Sequence, residues 1–200
     1  MKVFLFDADG VLTLPEELFA VMYARSRGLD PEPIQQFFKN EWNQIVTGKQ
    51  DLKESIESNP EIWQWSGTTD ELLEYWFKTE DVQNNDLLEI IRTLREDGAH
   101  CYLATDQEKY RGDYMKNVMF KDLFDEFFIS SDIGLKKSNP QFFTKVLETL
   151  RETHPSLEMG DITFFDDSQV KVDSAIEAGV NGVVFQGNEQ VRELLKKSTK

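Results

Sequence analysis

Short, continuously apolar stretches recur along this chain, and four of the five end in polar side chains. The stretches are Val3–Phe6, Cys101–Ala104, Phe127–Ile129, Ile162–Phe165 and Gly182–Phe185. Runs of this length without alternating polar residues are typical of strands that are buried on both faces, as in a parallel sheet. Ligands bind beyond the carboxyl ends of such strands. We therefore expect the functional residues to lie along one edge of a sheet.

Helical patterns separate most of these stretches. Apolar residues recur at helical spacing over Asp86–Glu96, after the Asn139-Pro140 pair, and from Ser168 to Gly179. A last helix is predicted over Gln190–Lys200. Alternating strands and helices predict an α/β fold, with a Rossmann-like, mainly parallel sheet and helices on both of its faces.

The segment from Pro15 to Asn84 breaks this alternation, because its apolar residues recur only at helical spacing. Its length of roughly 70 residues is far greater than a normal crossover between two strands. We therefore predict an α/β core of residues 1–14 and 85–200 with an inserted small helical bundle at 15–84. The insertion holds all four tryptophans (Trp42, Trp63, Trp65, Trp76), either as its core or partly facing a pocket. Trp42, Asn43 and Lys49 are candidates for that pocket.

The overall charge restricts the partners of the chain. There are 37 acidic against 22 basic side chains, for a net charge of −15, which disfavours binding to nucleic acid or to anionic membranes. A single cysteine excludes an intrachain disulfide and a multi-cysteine metal site. Neither a membrane-spanning stretch nor a signal peptide is evident. We expect a cytoplasmic protein, monomeric or a weak homodimer, whose partner is a small molecule.

Two carboxylates follow the first apolar run directly. Asp7 and Asp9 stand one residue apart, and Gly10 allows the chain to turn after them. An ordinary acidic turn is one interpretation. A calcium-binding loop is excluded because Val11 and Leu18 occupy positions that would need oxygen ligands.

A second acidic pair, Asp166-Asp167, follows another predicted strand. A helix cap would need only one of these two residues. If Asp7 and Asp9 lie beside them, about four negative charges meet, and such a cluster needs a cation. Hard oxygen ligands favour Mg²⁺, which commonly serves phosphoryl chemistry. The sequence thus predicts a magnesium site.

Two further residues fit a phosphate site. Thr105 ends the second predicted strand with a hydroxyl that can donate to a phosphoryl oxygen, and Lys137 precedes a predicted helix as a point cation. Taken alone, a lysine at this position is more often a solvated surface residue. The order acidic pair, threonine, lysine, acidic pair favours phosphate binding.

Together these segments resemble the haloacid dehalogenase-like superfamily of phosphohydrolases over nearly the whole chain. Asp7–Thr13 matches the Asp-x-Asp-Gly-x-x-Thr loop of that family, and Thr105 matches its second motif. Lys137, within Lys-Ser-Asn-Pro, matches the lysine of a Lys-Pro-Asp-Pro type segment, and Asp166-Asp167 matches the last acidic pair. The helical insertion resembles the cap of one subclass.

The resemblance implies a role for each of these residues. Asp7 would be the nucleophile that forms an aspartyl-phosphate, and Asp9 would be the general acid and then the general base. Mg²⁺ would be held by the Asp7 carboxylate, the Asp9 carbonyl and Asp167, with Asp166 as an outer or alternate ligand. Thr105 and Lys137 would bind the phosphoryl group.

The chain departs from the family pattern at Asp106, where many members carry Asn, and at Ser138. An inward-facing Asp106 would add negative charge beside the bound phosphate. The expected function is a Mg²⁺-dependent phosphatase acting on a sugar or nucleotide phosphate. A phosphomutase and a catalytically weak binding or regulatory member remain alternatives. Dehalogenation is disfavoured, because a halide leaves without a proton and without Mg²⁺, so neither Asp9 nor a metal would be needed.

Overall fold

The computed structural model of the chain describes residues 2–197, and the side chains of residues 2–195. Its centre is a parallel sheet of five strands in the order β3-β2-β1-β4-β5. The strands are β1 (Val3–Phe6), β2 (His100–Thr105), β3 (Phe127–Ile129), β4 (Ile162–Asp166) and β5 (Asn181–Val184). All five predicted strands are present, with their ends within one residue of the expected positions. The predicted α/β fold is confirmed.

Strand β1 lies in the middle of the sheet and fixes where the acidic residues meet. Phe6, its last residue, pairs with Leu103 of β2 on one side and Phe165 of β4 on the other. The order of the strands reverses between β1 and β4, which is the position where open sheets of this kind bind ligands. The segments that leave β1, β2 and β4 therefore converge at one edge.

Helices cover both faces of the sheet. The α-helices described within residues 2–197 are α1 (Phe19–Arg27), α2 (Pro31–Asn40), α3 (Trp42–Ile45), α4 (Leu52–Glu57), α5 (Pro60–Trp63), α6 (Thr69–Glu80), α7 (Asn85–Glu96), α8 (Lys109–Tyr114), α9 (Ser130–Ile133), α10 (Gln141–Thr153), α11 (Gln169–Glu177) and α12 (Asn188–Lys197). A π-helical turn, Met115–Met119, continues α8, and a 3₁₀ turn, Met159–Asp161, precedes β4.

Alternation along β1 sends its side chains into two separate cores. Phe4 and Phe6 pack with apolar residues of α7 and α12 on one face, and Val3 and Leu5 pack with those of α10 and α11 on the other. The burial of both faces explains why β1 is apolar throughout.

Helices α1–α6 lie between β1 and β2 in the sequence, and their apolar side chains form a third cluster. We call residues 15–84 the helical insertion. Its centre is aromatic, with Tyr23, Trp63 and Trp76 all buried. The chain enters and leaves the insertion side by side, because the Leu14 amide donates to the Val82 carbonyl at 2.8 Å.

Three remaining expectations concern the chain end, the membrane and the cysteine. The predicted last helix is present as α12, and residues 198–200 lie outside the described part of the chain. Within that part, no helix has the length and apolar character to cross a bilayer. Cys101 is buried in β2, and its burial raises the pKa of the thiol to about 12. Such a thiol stays protonated at neutral pH and is a poor nucleophile.

Candidate active site

A fully buried lysine joins two of the predicted acidic residues. The Lys137 ammonium contacts Oδ1 of Asp7 and lies 2.6 Å from Oδ2 of Asp166. These carboxylates reach it from the ends of β1 and β4, whereas Lys137 comes from the loop between α9 and α10. All three side chains are at most 2% exposed. A lysine is stable at such depth only because it is paired with opposite charge.

The pKa values of Asp7 and Asp166 differ because the two carboxyls have different surroundings. Burial raises the pKa of Asp7, but the Lys137 and Lys171 ammoniums outweigh it and bring that pKa down to about 2. Burial, together with the negative charge of Asp7, raises the pKa of Asp166 to about 7. Asp7 is therefore ionised at neutral pH, and Asp166 is the member of the pair that takes up a proton first.

Lys171 is a second cation at this site, and the sequence reasoning did not identify it. Its Nζ lies 3.4 Å from Oδ2 of Asp7 and 3.8 Å from Oδ1 of Asp166. Burial acts to lower the pKa of Lys171, but the charges of Asp7 and Asp166 raise it above its usual value. The signal was present in the sequence, because Lys171 lies in the first turn of the helix that follows Asp166-Asp167 and therefore stays near the same edge of the sheet.

Three carboxylates form a group that fits a metal ion. Asp7, Asp166 and Asp167 each place an oxygen within 4.8 Å of the others. A donor set made of oxygens alone suits Mg²⁺. Gly10 makes room for this group, since a side chain there would collide with the Asp167 carboxylate. Its φ of +81° also favours glycine.

The Asp9 carboxylate does not belong to this group, which corrects the expected cluster of four. Nη2 and Nη1 of Arg111 donate to its Oδ1 and Oδ2 at 2.8 and 3.0 Å. Gln107 Nε2 donates to Oδ2 at 2.5 Å, and the Thr13 hydroxyl donates to Oδ1 at 2.9 Å. Four hydrogen-bond donors, two of them from the Arg111 guanidinium, hold this carboxylate away from Asp7, Asp166 and Asp167. A metal contact through the Asp9 carbonyl stays a prediction.

Thr105 and Asp106 lie where β2 ends. Thr105 is buried, at the same edge of the sheet as Asp7 and Asp166. Oδ1 of Asp106 accepts the backbone N–H of Lys137 at 2.8 Å. The aspartate at this position thus fixes the loop that carries the buried lysine, while Ser138 beside it is exposed. Their contacts with a phosphate stay predictions.

Arg111 also connects the site to the helical insertion. Its Nη1 lies 3.2 Å from Oε2 of Glu80, at the end of α6, and both side chains are buried. Glu80 in turn accepts the Phe19 amide and the indole N–H of Trp76, each at 2.8 Å. The sequence reasoning missed Arg111, Gln107 and Glu80. Only the position of the first two, shortly after β2, could have indicated them.

A cavity of about 640 Å³ lies between the sheet edge and the insertion. Its polar side includes Asp9, Asp106, Asp167 and Lys171, and its other side is mostly apolar, formed by Leu14, Pro15, Leu18, Ala20, Phe38, Trp42 and Trp76. A second depression of about 1040 Å³ lies beside Lys2 and Gly98, at the amino ends of β1 and β2, away from the acidic group.

Of the three candidates from the insertion, only Trp42 lines the cavity beside the acidic residues. Asn43 instead accepts a hydrogen bond from Lys136 Nζ at 2.8 Å. Lys49 is exposed and is not among the residues that line this cavity. Helical periodicity alone could not separate these three residues, because their positions depend on how α2 and α3 pack.

Known structures share this architecture. A HAD family enzyme from Bacteroides thetaiotaomicron is 17% identical, with a TM-score of 0.79 and 98% of both chains covered. A second structure of that enzyme, in complex with magnesium and inorganic phosphate, is 19% identical, with a TM-score of 0.73 and coverage of 90% and 91%. A HAD phosphatase from Thermococcus onnurineus is 22% identical, with a TM-score of 0.61 and coverage of 90% of this chain and 84% of that one. No curated protein matches the chain.

At these identities the structural neighbours show the fold, and the family is shown by the sequence itself. The family model for haloacid dehalogenase-like hydrolases matches residues 1–179, which include every predicted motif. This chain therefore belongs to the haloacid dehalogenase-like hydrolases.

Proposed function

We propose that this hydrolase is a Mg²⁺-dependent phosphatase that cleaves small phosphorylated metabolites through an aspartyl-phosphate on Asp7. The observation that carries the proposal is the position of Asp7, ionised beside Lys137 and within a three-carboxylate group that fits Mg²⁺. The magnesium and phosphate bound to the Bacteroides neighbour support it.

The surroundings of Asp7 suit a nucleophile. Its Oδ1 accepts the Ala8 amide at 2.8 Å and contacts Lys137, so the carboxylate has a fixed orientation. An ionised carboxylate needs no base to activate it. Its oxygen attacks phosphorus as the bond to the leaving oxygen breaks, and the phosphoryl group is left on Asp7.

Charge on the transferred group would be offset by several partners. Mg²⁺ supplies positive charge at the phosphoryl oxygens when it is bound. Asp7 and Asp167 would hold it with the Asp9 carbonyl, and Asp166 would act as an outer or alternate ligand. Lys137 and the Thr105 hydroxyl add preorganised positive charge and a donor.

Asp9 would move the protons. As general acid it protonates the leaving alkoxide, and as general base it then takes a proton from the water that attacks the aspartyl-phosphate. Both of its oxygens accept hydrogen bonds, and 45% of its side chain faces solvent in the cavity. This proton transfer favours ester hydrolysis over dehalogenation, where the halide needs no proton.

The helical insertion would act as a cap over the site, with residues 1–14 and 85–200 as the core domain. Arg111 with Glu80, and the Tyr110 hydroxyl with Asp51 at 2.8 Å, hold the two parts together. A cap would limit the access of bulk water to the phosphoryl group on Asp7, while the water that Asp9 activates still reaches it.

Hydrolysis of p-nitrophenyl phosphate, with and without Mg²⁺, tests this function. We expect Mg²⁺-dependent turnover that Asp7→Asn lowers by about 10⁴-fold or more, while Asp86→Asn, on the exposed surface of α7, leaves it unchanged. Metal-independent turnover, or turnover that survives Asp7→Asn, would contradict the mechanism. Isomerisation of a sugar phosphate that requires a bisphosphate activator would identify a mutase. No turnover of any phosphate would favour a binding protein.

A further inference from the structure

The cavity beside Asp9 has the size of a site for a small organic molecule. Its volume of about 640 Å³ lies within the usual range for ligand pockets. If the phosphoryl group is bound at Asp7, the leaving group must extend past Asp9 into this space. The inference below rests on that proposed function and concerns the chemistry of the leaving group.

One wall of the cavity is aromatic. The ring centroid of Phe38 lies 5.1 Å from that of Trp42 and 5.4 Å from that of Trp76. Phe38 and Trp42 are only half-buried, and Leu14 and Leu18 at the same cavity are 46% and 67% exposed. A flat apolar ring placed here would remove this surface from water and contact the aromatic faces.

On the insertion's side of the cavity, the indole N–H of Trp42 is the hydrogen-bonding group that remains for a sugar. Glu80 is the polar side chain of the insertion that lines the cavity, and its oxygens already accept from Phe19, Trp76 and Arg111. The indole N–H of Trp76 is used in the same contact. Most hydroxyls of a polyol would lose water at this wall without new partners, which is costly.

The charges around the cavity also disfavour a second anionic group. Four carboxylates and two cations, Arg111 and Lys171, are among its lining residues. Arg111 already faces Asp9 and Glu80, and Lys171 faces Asp7 and Asp166. Both cations therefore already face carboxylates, which disfavours a further carboxylate or a second phosphate as their partner.

One buried acceptor at the cavity lacks a partner. Gln107 is 2% exposed, and its Nε2 donates to Asp9, which fixes the orientation of the amide. Its Oε1 has no hydrogen-bond partner in the structure. Nε of Arg111, also buried, is unpartnered as well. Buried polar atoms of this kind are normally paired, so a ligand with a donor near its scissile oxygen would satisfy Gln107.

We propose that the leaving group is a neutral aromatic or heteroaromatic alcohol, with a flat ring against the aromatic wall and a hydroxyl or N–H group that donates to Gln107. The aromatic wall, the few free polar groups on it and the unpartnered amide oxygen each favour this class. They disfavour sugar phosphates and phosphorylated acids.

Binding of phosphonates, which the enzyme cannot hydrolyse, tests the aromatic wall separately from catalysis. With Mg²⁺ present, calorimetry should show benzylphosphonate binding about tenfold or more tightly than methylphosphonate. Trp42→Ala should remove most of this difference. Trp65→Ala is the matched control, because Trp65 is a half-buried tryptophan of the insertion outside this cavity, and it should leave the difference unchanged. Equal affinities in the wild type would overturn the proposal.

A second series tests the donor. Among hydroxybenzylphosphonates with the hydroxyl in the ortho, meta or para position, one isomer should bind about fivefold more tightly than benzylphosphonate. Gln107→Met should abolish that gain. Because the gain is a ratio within each protein, a general loss of affinity in the variant does not affect it. The role of Gln107 would be contradicted if no isomer bound the wild type more tightly than benzylphosphonate does. It would also be contradicted if the gain in affinity persisted in Gln107→Met.

Turnover separates this inference from the proposed function. Acetyl phosphate carries the same phosphoryl group on a small leaving group, so its hydrolysis reports the chemistry at Asp7 alone. Benzyl phosphate and glucose 6-phosphate both release a primary alcohol, and we expect kcat/KM to favour benzyl phosphate by about tenfold or more. Turnover of acetyl phosphate with no preference for benzyl phosphate would refute the inference only. If neither acetyl phosphate nor any other phosphate is cleaved, the proposed function fails, and the phosphonate affinities still decide the inference.

Discussion

Asp7 and Asp9 are separated by one residue, but their carboxylates lie in different surroundings. Asp7 belongs to what we call the phosphoryl side, made by Lys137, Asp166 and Lys171 around the strand ends. Asp9 belongs to the leaving-group side, where Gln107 and Arg111 hold it below an apolar wall. Buried charge pairs dominate the first side, whereas the second combines a half-exposed carboxylate with aromatic surface. One turn of the chain thus supplies two carboxylates with separate tasks.

The largest effect is expected on the phosphoryl side. Lys137→Met would leave Asp7 and Asp166 buried without their shared cation, which should lower the free energy of unfolding by about 3–5 kcal/mol. Urea denaturation measures this. Lys136→Met, next to it in the chain but in an exposed hydrogen bond, should cost no more than about 0.5 kcal/mol. If both variants lost a similar free energy of unfolding, the buried charge pairs would make no special contribution to stability on the phosphoryl side.

The segment that carries Gln107 and Arg111 also contains a buried acid, which adds its own pH dependence to the stability. Glu108 precedes α8, accepts the Tyr110 and Arg111 amides, and is 2% exposed. Burial raises its pKa from 4.5 to about 7. Its contribution to stability is therefore complete below pH 4.5 and is lost as the pH rises to 7.

Glu108→Gln removes this titration but keeps only one of the two oxygens that accept the Tyr110 and Arg111 amides. The loss of that acceptor costs about the same at every pH, so the stability of the variant relative to the wild type should rise by up to about 3 kcal/mol between pH 4 and pH 8. Urea unfolding at both pH values measures the difference. Glu148→Gln, exposed on α10, should show no such trend. A gain that does not change with pH would refute the buried titration.

A smaller effect, from alanine at two glycines, should distinguish the cost of backbone strain from a disturbance of the metal site. Gly10 and Gly98 have nearly the same φ, +81° and +83°, but only Gly10 faces Asp167. Alanine at Gly98 should cost about 1 kcal/mol through strain alone. Alanine at Gly10 should cost about 2 kcal/mol and should also weaken Mg²⁺ binding, measured by calorimetry. Equal Mg²⁺ affinities in the two variants would show that Asp167 does not depend on this contact.

The smallest effect concerns Lys171, which repels a cation bound beside Asp7 and Asp166. Lys171→Met should tighten Mg²⁺ binding about tenfold, or about 1.4 kcal/mol. Calorimetry on the protein without substrate measures it, with Lys39→Met, on the exposed surface of α2, as the control. Weaker binding in Lys171→Met would mean that this lysine organises the carboxylates instead of opposing the metal.

The two sides also differ in how far the sequence predicts them. Asp7, Thr105 and Asp166 directly follow or end apolar strands, and parallel strands bring such residues to one edge whatever the details of packing. Lys137 was identified by its motif, although its burial between two acids was not. The turn of Asp9 toward Arg111 could not be predicted, because it depends on a side chain about 100 residues away.

The aromatic wall could not be predicted from the sequence either. Trp42 and Trp63 lie in similar helical patterns, but one lines the cavity and the other fills the core of the insertion. The packing of short helices α2–α6 decides between these positions, and helical periodicity identifies only which residues are apolar.

The most direct test of the account is to trap the phosphorylated protein. After rapid acid quenching with acetyl phosphate and Mg²⁺, peptide mass spectrometry should find the phosphoryl group on Asp7. Asp9→Asn should accumulate this adduct, because it lacks the base that activates water, and Asp7→Asn should show none. An adduct on another residue, or an Asp9→Asn variant that forms and loses the adduct as fast as the wild type, would contradict the separate roles of the two carboxylates.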